Sequence, residues 1–297
     1  MTTHASDLVT VVGAGISGIA CARALQERGI PVRVIERGHG PGGRMASRTV
    51  DGRPVDTGAS YVVAPDDTPL GAVMADWVSR GLARPWTATF GVADDDGIRS
   101  TTTGPMRYAA TRGLRSLVTD LADGVDVVSE RTVSRVGAGR VDDDVAGPVV
   151  LAMPDPQASR LLPERHALRQ RLAEVEWEPV IAVVLTWEAR RWPDDVHGVF
   201  VNDSPAVGFI ADDGDRRGDA APVLVAHTTP ALAREHLDDP AAVMPEVEAA
   251  VRRILQIDEP ATDAFAYRWT FARPVRGRHD PFAFADGVGV CGDAWGG

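Results

Sequence analysis

No lysine occurs in this sequence; all 31 of its basic residues are arginine. A phosphate-bearing ligand must therefore be held by guanidinium groups or by backbone N–H groups. Cysteine is scarce. Cys21 and Cys291 stand near opposite ends of the chain, in no pattern that makes a disulfide framework or a zinc site, and this fits a reducing, cytoplasmic setting. Positive charge is in deficit, with 31 basic against 42 acidic residues and a formal net charge of -11. That balance gives no support to nucleic-acid or anionic-membrane partners. No uncharged run approaches the length of a membrane span. Met1 to Asp7 lacks a basic leader region, so a secretory signal is not expected. No catalytic triad, metal-ligand set, internal repeat or low-complexity tract stands out. The 297 residues, 44% hydrophobic and 25% charged, have the composition of a globular protein with room for two domains or one large interrupted one.

The chain is organised around Leu8 to Arg44. Leu8 to Val12 is a short apolar, β-branched run of the kind that forms a buried parallel strand. It leads into Gly13-Ala14-Gly15-Ile16-Ser17-Gly18, then into a helical stretch from Ile19 to Arg28 that Gly29 stops. Pro31 to Ile35 reads as a second strand ending on Glu36. Gly13 permits the tight turn, Gly15 lets a pyrophosphate approach the backbone, and Gly18 lets the helix pack on the sheet. The helix N-terminus offers N–H groups and a partial positive charge. Glu36 can accept both hydroxyls of an adenosine ribose and would repel a 2′-phosphate, so the pattern predicts FAD or NAD rather than NADP.

Further along, Gly71 to Gly81 predicts a short helix, Thr87 to Val92 a strand and Asp94 to Gly97 a turn. Leu114 to Ala122 is helical, with Leu114, Leu117, Val118 and Leu121 on one face. Strands are predicted at Asp126 to Val128, Arg131 to Val136 and Val149 to Ala152, and a polar helix over Arg160 to Glu174. Val180 to Leu185 is strongly strand-like, Gly198 to Ala211 and Pro222 to Thr229 supply further strands, and Asp212 to Ala220 reads as a polar loop between them. Pro240 to Leu255 has apolar Val243, Val247, Val251 and Leu255 at every fourth position, an amphipathic helix. Phe265 to Phe271 adds one more strand. Strands in runs with few helices predict a mostly antiparallel second sheet.

Three segments beyond the first fingerprint carry a resemblance. Gly40-Pro41-Gly42-Gly43-Arg44-Met45 follows Glu36, Val55 to Tyr61 includes Asp56-Thr57-Gly58-Ala59, and Cys291-Gly292-Asp293 closes a terminal strand. Together they resemble the flavin amine oxidase superfamily. With Leu151-Ala152-Met153-Pro154, His227-Thr228-Thr229 and Arg268-Trp269, they resemble the renalase family more narrowly. The resemblance implies an α/β fold: a Rossmann-like FAD-binding domain, glutathione-reductase-like or p-hydroxybenzoate-hydroxylase-like, interleaved with a mostly antiparallel β-sheet substrate domain. The first would comprise 1-62, 104-156 and 271-297, the second 63-103 and 157-270. Non-covalent FAD would lie against Gly13, Ala14, Gly15, Ile16, Ser17, Gly18, Glu36, Arg37, Gly43, Arg44, Met45, Ala59, Ser60, Val133 and Asp293. In this picture Arg44 lies near the diphosphate, Val133 pairs its backbone with the adenine, and Asp293 accepts hydrogen bonds from the ribityl or diphosphate region. In the superfamily a helix follows the Gly-Asp pair, whereas here the sequence stops at Gly297; the resemblance is to a chain shortened at its C-terminal end.

The family likeness further implies an oxidase that returns isomeric dihydronicotinamides, such as 2- or 6-dihydro-NAD(P), to NAD(P)+. Hydride would pass to flavin N5, and dioxygen would leave as hydrogen peroxide. Aromatisation drives hydride loss, so positioning suffices and no triad is needed. Tyr61, His227 and Trp269 are the expected substrate contacts, with Trp295 a candidate flank of the flavin ring. A flavin amine oxidase is the alternative. The absence of lysine and the three tyrosines, Tyr61, Tyr108 and Tyr267, weigh against it, because such enzymes commonly hold a lysine near the flavin and enclose the amine between aromatic rings. A non-catalytic FAD-binding protein is a third reading.

Overall fold

The computed structural model describes residues 7–296. The chain divides into two compact units: Met1–Met45, Val118–Glu178 and Arg273–Gly297 form the first, Ala46–Leu117 and Pro179–Ala272 the second. No helix among the described residues is long and apolar enough to cross a membrane.

The first unit is built on a six-stranded sheet in the order Ala283–Ala285, Val288–Cys291, Val149–Ala152, Val9–Val12, Val32–Ile35 and Val127–Val128. All neighbours are parallel except the Ala283–Ala285 edge strand. Its central strands are four-residue apolar runs with Val11, Val34, Val149 and Leu151 fully buried, as a sheet covered on both faces requires. The Ile16–Gln26 helix follows the first strand and buries Gly18, Ile19 and Ala22. At Gly18 an added Cβ would lie 2.0 Å from the Gly13 carbonyl oxygen, so only glycine lets this helix start where it does.

Two predicted elements of this unit take another form. Arg131 to Arg135 is not a strand. The N–H groups of Ser134 and Arg135 both donate to Asp142 Oδ1, at 2.8 and 3.0 Å, and that carboxylate replaces a ladder partner. The polar helix expected over Arg160 to Glu174 is two short helices, Asp155–Leu161 and Leu168–Leu172. Pro163 lies between them and cannot continue a helix.

The second unit holds a seven-stranded sheet in the order Asp263–Pro274, Trp177–Thr186, Val223–Thr228, Val207–Asp212, Gly198–Val201, Ala83–Asp94 and Gly97–Ala110. The Gly198–Val201 strand runs parallel to Ala83–Asp94, while the Trp177–Thr186/Val223–Thr228, Val223–Thr228/Val207–Asp212, Val207–Asp212/Gly198–Val201 and Ala83–Asp94/Gly97–Ala110 pairs are antiparallel. The Met244–Leu255 helix buries Val247, Val251 and Ile254 in one core with Ile181, Val183, Leu185, Val199 and Ile210.

The unit boundaries differ from the predicted ones for physical reasons. A cut at residue 104 would sever the hairpin whose strands pair from Ala83↔Ala110 to Asp94↔Gly97. The Ser47–Val50 and Arg53–Asp56 hairpin stays with the second unit because Arg53 and Asp56 join its buried charge network, described below. Residues 157–178 stay with the first, where Arg171 pairs with Asp280 at 2.5 Å. The segment read as a polar loop, Asp212 to Ala220, contains the short Asp213–Arg217 helix, and most of it is buried.

Candidate functional site

The glycine turn of the first unit is shaped by close approaches. Gly13 has φ +108°, and a Cβ there would lie 2.5 Å from the Ala152 carbonyl oxygen. Gly15 sits against Gly43, where an added Cβ would lie 2.9 Å from the Gly15 Cα. The fingerprint and the Gly40–Met45 segment are thereby held face to face, and Gly42 N–H donates to the Ala14 carbonyl at 2.9 Å. No side chain caps the helix that follows, and no acid lies in its first turn. Ile16 and Ser17 are half-buried there, and the positive end of the helix is left for an anion.

Glu36 ends the second strand with both carboxylate oxygens anchored. Oε2 accepts from Ala14 N–H at 2.9 Å and Oε1 from Gly38 N–H at 2.7 Å. Each oxygen keeps a further lone pair, the capacity that two ribose hydroxyls need. Arg37, beside it, is exposed. Val133 is buried at 8% exposure, and no hydrogen bond among the described residues uses its backbone N–H or carbonyl. Its neighbour Arg131 donates its N–H to the Glu36 carbonyl at 3.0 Å. Gly43–Met45 forms a single 3₁₀ turn with Met45 buried. Arg44 meets Asp293 in a bidentate pair of 2.5 and 2.6 Å, so the two ends of the chain converge on one charged spot. The turn, the acid, the unused backbone edge and this arginine are what an adenine dinucleotide requires.

Trp295 has another role than flanking a flavin. It is buried, donates Nε1–H to Asp155 Oδ1 at 3.1 Å and stacks under Arg278 at 4.2 Å. Burial pushes the Asp155 carboxyl up despite its Arg278 partner. The two cysteines, unpatterned in sequence, are both free thiols. The Cys291 thiol lowers that of Cys21 to about 7, against the opposing effect of burial. Cys21 in turn, together with burial, raises Cys291.

In the second unit the Asp56–Ser60 segment is fastened by an arginine that sequence reasoning missed. Arg216 is fully buried and donates to the Asp56 carbonyl at 2.8 Å and the Ser60 carbonyl at 3.1 Å. Its Nε reaches Asp213 Oδ1 at 2.6 Å, and Asp213 is also paired with Arg53 and Arg217. Asp56 in turn accepts from Leu114 N–H at 2.9 Å. Nothing local in the sequence marks these residues as partners, since Arg53 and Asp213 are 160 positions apart. Ser60 is buried and Ala59 half-buried.

Tyr61 leaves this clamp and enters an aromatic box. Its ring lies 5.5 Å from Phe90 and 6.3 Å from Phe209; Phe200 lies 5.3 Å from Phe90, and His227 6.1 Å from Phe209. Tyr61 and His227 therefore belong to one cluster of rings. Trp269 does not join them. It is edge-on to Tyr267 at 4.9 Å and donates Nε1–H to the Thr57 carbonyl at 2.7 Å, a brace on the same Asp56–Ser60 segment. Arg107 lies inside the box, with its guanidinium carbon 3.9 Å over the Phe90 ring. Nothing local marks it, because a single arginine in a strand is normally exposed.

Comparison with known proteins finds likeness in the N-terminal part of the chain. Residues 11–77 match the family of NAD(P)-binding Rossmann-like domains. A zeta-carotene-forming phytoene desaturase of Myxococcus xanthus is 43% identical over 58 residues, 20% of this chain and 11% of that protein. A putrescine oxidase of Kocuria rosea is 37% identical over 98 residues, 33% of this chain and 20% of that protein. Residues 11–77 thus carry a dinucleotide-binding Rossmann-like domain, and the partial matches are to a desaturase and an amine oxidase. The chain spans 11% and 20% of the lengths of these two curated relatives, so the likeness reaches the cofactor domain and leaves substrate open. Among solved structures, an oxidoreductase from Methanosarcina mazei superposes with a TM-score of 0.70 at 13% identity, covering 98% of this chain and 96% of that one. A putrescine oxidase bound to putrescine gives 0.66 at 20% identity, covering 87% and 84%. At these identities the likeness is one of fold.

Proposed function

We propose that this protein is a renalase-like oxidase that returns isomeric dihydronicotinamides, of the 2- or 6-dihydro-NAD(P) type, to NAD(P)+ in the cytoplasm. FAD would supply the hydride acceptor, and dioxygen would take up the electrons as hydrogen peroxide. Gly13 to Gly18 would hold the diphosphate, with Arg44 supplying a guanidinium fork and Glu36 taking the ribose. Arg37, Gly43, Met45, Val133 and Asp293 would complete the cofactor contacts of the first unit, and Ala59 and Ser60 those of the second. Tyr61 and His227 would face the substrate, while Trp269 holds the strand segment that carries Tyr61.

The observation that carries this reading is the aromatic box around Tyr61. Its walls are flat rings, and the charged side chain inside it is the guanidinium of Arg107. Flat walls favour a planar ring. A buried positive charge repels an ammonium group, most strongly where water is excluded. The box thus suits a dihydropyridine better than a diamine. The amine oxidase reading retains the likeness to putrescine oxidase in its favour.

The deciding experiment mixes FAD-loaded protein anaerobically with 2- and 6-dihydro-NAD, and separately with putrescine and primary amines, while following the flavin's visible absorbance. Bleaching by a dihydronicotinamide alone supports the proposal. Bleaching by an amine alone replaces it with the second reading. Bleaching by none of them, with no peroxide released in air, leaves a binding protein without turnover.

A further inference from the structure

Cys21 and Cys291 come from opposite ends of the chain to one face of the six-stranded sheet. Cys291 ends the Val288–Cys291 strand and is in register with Ala152 of the neighbouring parallel strand, so the two side chains point to the same side. That side is the one the Ile16–Gln26 helix covers, for a Cβ added at Gly18 would lie 3.1 Å from the Ala152 Cβ. Cys21 stands one turn beyond Gly18, on the same helix face. The two thiols act on each other: Cys291 is a side-chain donor toward Cys21, and the charge of Cys21 helps to hold Cys291 up. Both are free thiols, and neither residue is fully buried.

The pair is divided as a thiol oxidation site requires. Cys21 is lowered to about 7, so about half of it is thiolate at neutral pH, and the thiolate is the form that attacks peroxide. Cys291 stays protonated beside it. A lone cysteine oxidised in this position would have no partner, whereas a second thiol on the same face gives a route to a disulfide.

We propose that Cys21 and Cys291 form a reversible peroxide-oxidation site, with Cys21 the attacking thiol and Cys291 the resolving one. In the first step the Cys21 sulfur attacks one oxygen of hydrogen peroxide. An S–O bond forms, the O–O bond breaks, and the departing hydroxide takes a proton from solvent and leaves as water. Cys21 is oxidised by two electrons to a sulfenic acid, and the peroxide is reduced. This step also removes the Cys21 charge, one cause of the raised Cys291 thiol. The Cys291 sulfur then attacks the Cys21 sulfur. An S–S bond forms, the S–O bond breaks, and the departing hydroxide takes the Cys291 proton as a second water. The disulfide ties the helix that follows the Gly13 to Gly18 turn to the strand that leads into Asp293, and it spares Cys21 the irreversible step to sulfinic acid. The site goes beyond the function proposed above and does not depend on it, since peroxide from any source serves.

The test treats reduced, FAD-loaded protein with excess hydrogen peroxide at pH 7, blocks the remaining thiols with iodoacetamide and maps tryptic peptides without reductant. The expected product joins the peptide that ends at Arg23 to the one that begins at His279, and dithiothreitol releases both as free thiols. In Cys291→Ala the sulfenic acid at Cys21 should be trapped by dimedone, and without the trap it should proceed to sulfinic acid that dithiothreitol does not reverse. Under the same treatment the wild type should carry about tenfold less sulfinic acid at Cys21 than the variant. Wild-type protein with both thiols unmodified overturns the proposal. So does sulfinic acid at Cys21 beside a free Cys291, or a disulfide that joins two chains. These three outcomes are read on the wild type, so a variant that fails to fold leaves the test intact.

Discussion

Arg44 and Asp293 are separated by 249 positions and meet fork to fork, at 2.5 and 2.6 Å. The arginine also lies 5.1 Å over the Trp177 ring, so its guanidinium plane is fixed on two sides. An arginine oriented in this way is ready for phosphate oxygens without ordering a long side chain at the moment of binding. Arg44→Gln is expected to weaken FAD binding by about ten- to a hundredfold, the scale of one hydrogen-bonded charge. Arg44→Lys should recover only part of the loss. Titration of the apoprotein with FAD, followed by flavin fluorescence, measures both. Wild-type affinity in Arg44→Gln would remove this arginine from the cofactor site.

Glu36 ties a structural bond to a binding role, and two substitutions separate them. Glu36→Ala leaves the fully buried Ala14 N–H without its acceptor, at a cost of about 1–3 kcal/mol. Glu36→Gln keeps an acceptor oxygen for one of the two backbone donors and should recover much of the stability. Both variants should lose FAD affinity, because a ribose hydroxyl prefers the charged oxygen. Thermal melting of the apoprotein reads the first effect and FAD titration the second. Equal melting temperatures for all three proteins would show that the Ala14 bond contributes nothing.

The first unit was legible because its meaning is local. The glycines, the strand and Glu36 fall within one βαβ stretch, and each has a geometric reason at a fixed offset. The second unit was not. Asp212 to Ala220 reads as a solvated loop because it is dense in charge, yet Asp213, Arg216 and Arg217 are buried. Their partners Arg53 and Asp56 arrive from a hairpin more than 150 positions away, and no local pattern announces such pairing. Arg107 was hidden in the same way, since the rings around it, Tyr61, Phe90 and Phe200, come from a loop and two distant strands. Trp269 reads as a substrate contact in the sequence, and in the structure its indole N–H donates to the Thr57 carbonyl.

Cys21 and Cys291 are unequal thiols. Cys291 is pushed up, while its influence as a donor lowers Cys21 to about 7. The thiolate is the reactive form, so alkylation by iodoacetamide should occur at Cys21 first, with a pH–rate midpoint near that value. Cys291→Ala removes the donor, and the midpoint should move up toward about 8.5, the ordinary thiol value. At pH 7 the variant should then react several-fold more slowly. Peptide mass spectrometry over a pH series checks both expectations. Faster labelling of Cys291 than of Cys21 in the wild type would contradict the assignment.

Asp213 gives the molecule a defined acid sensitivity. Burial alone would raise its carboxyl, but Arg216, Arg217 and Arg53 outweigh burial and hold it at about 2. The folded value thus lies below the unfolded one of about 3.9. The unfolded state takes up the proton first, so the stability contributed by Asp213 is complete above about pH 4 and is lost as pH falls toward 2. Asp213→Asn should unfold more readily at neutral pH by about 3–5 kcal/mol, because three guanidinium groups lose their shared carboxylate. It should also show a flatter decline of stability between pH 4 and about 2 than the wild type. Urea unfolding at a series of pH values gives both quantities, and an unchanged acid slope in Asp213→Asn would assign the sensitivity to another carboxylate. The consequence reaches the candidate site, because Arg216 joins Asp213 to the Asp56 and Ser60 carbonyls. Because the folded carboxylate keeps its charge until the pH nears 2, that segment stays clamped while global stability declines, so substrate affinity should hold until the protein itself unfolds.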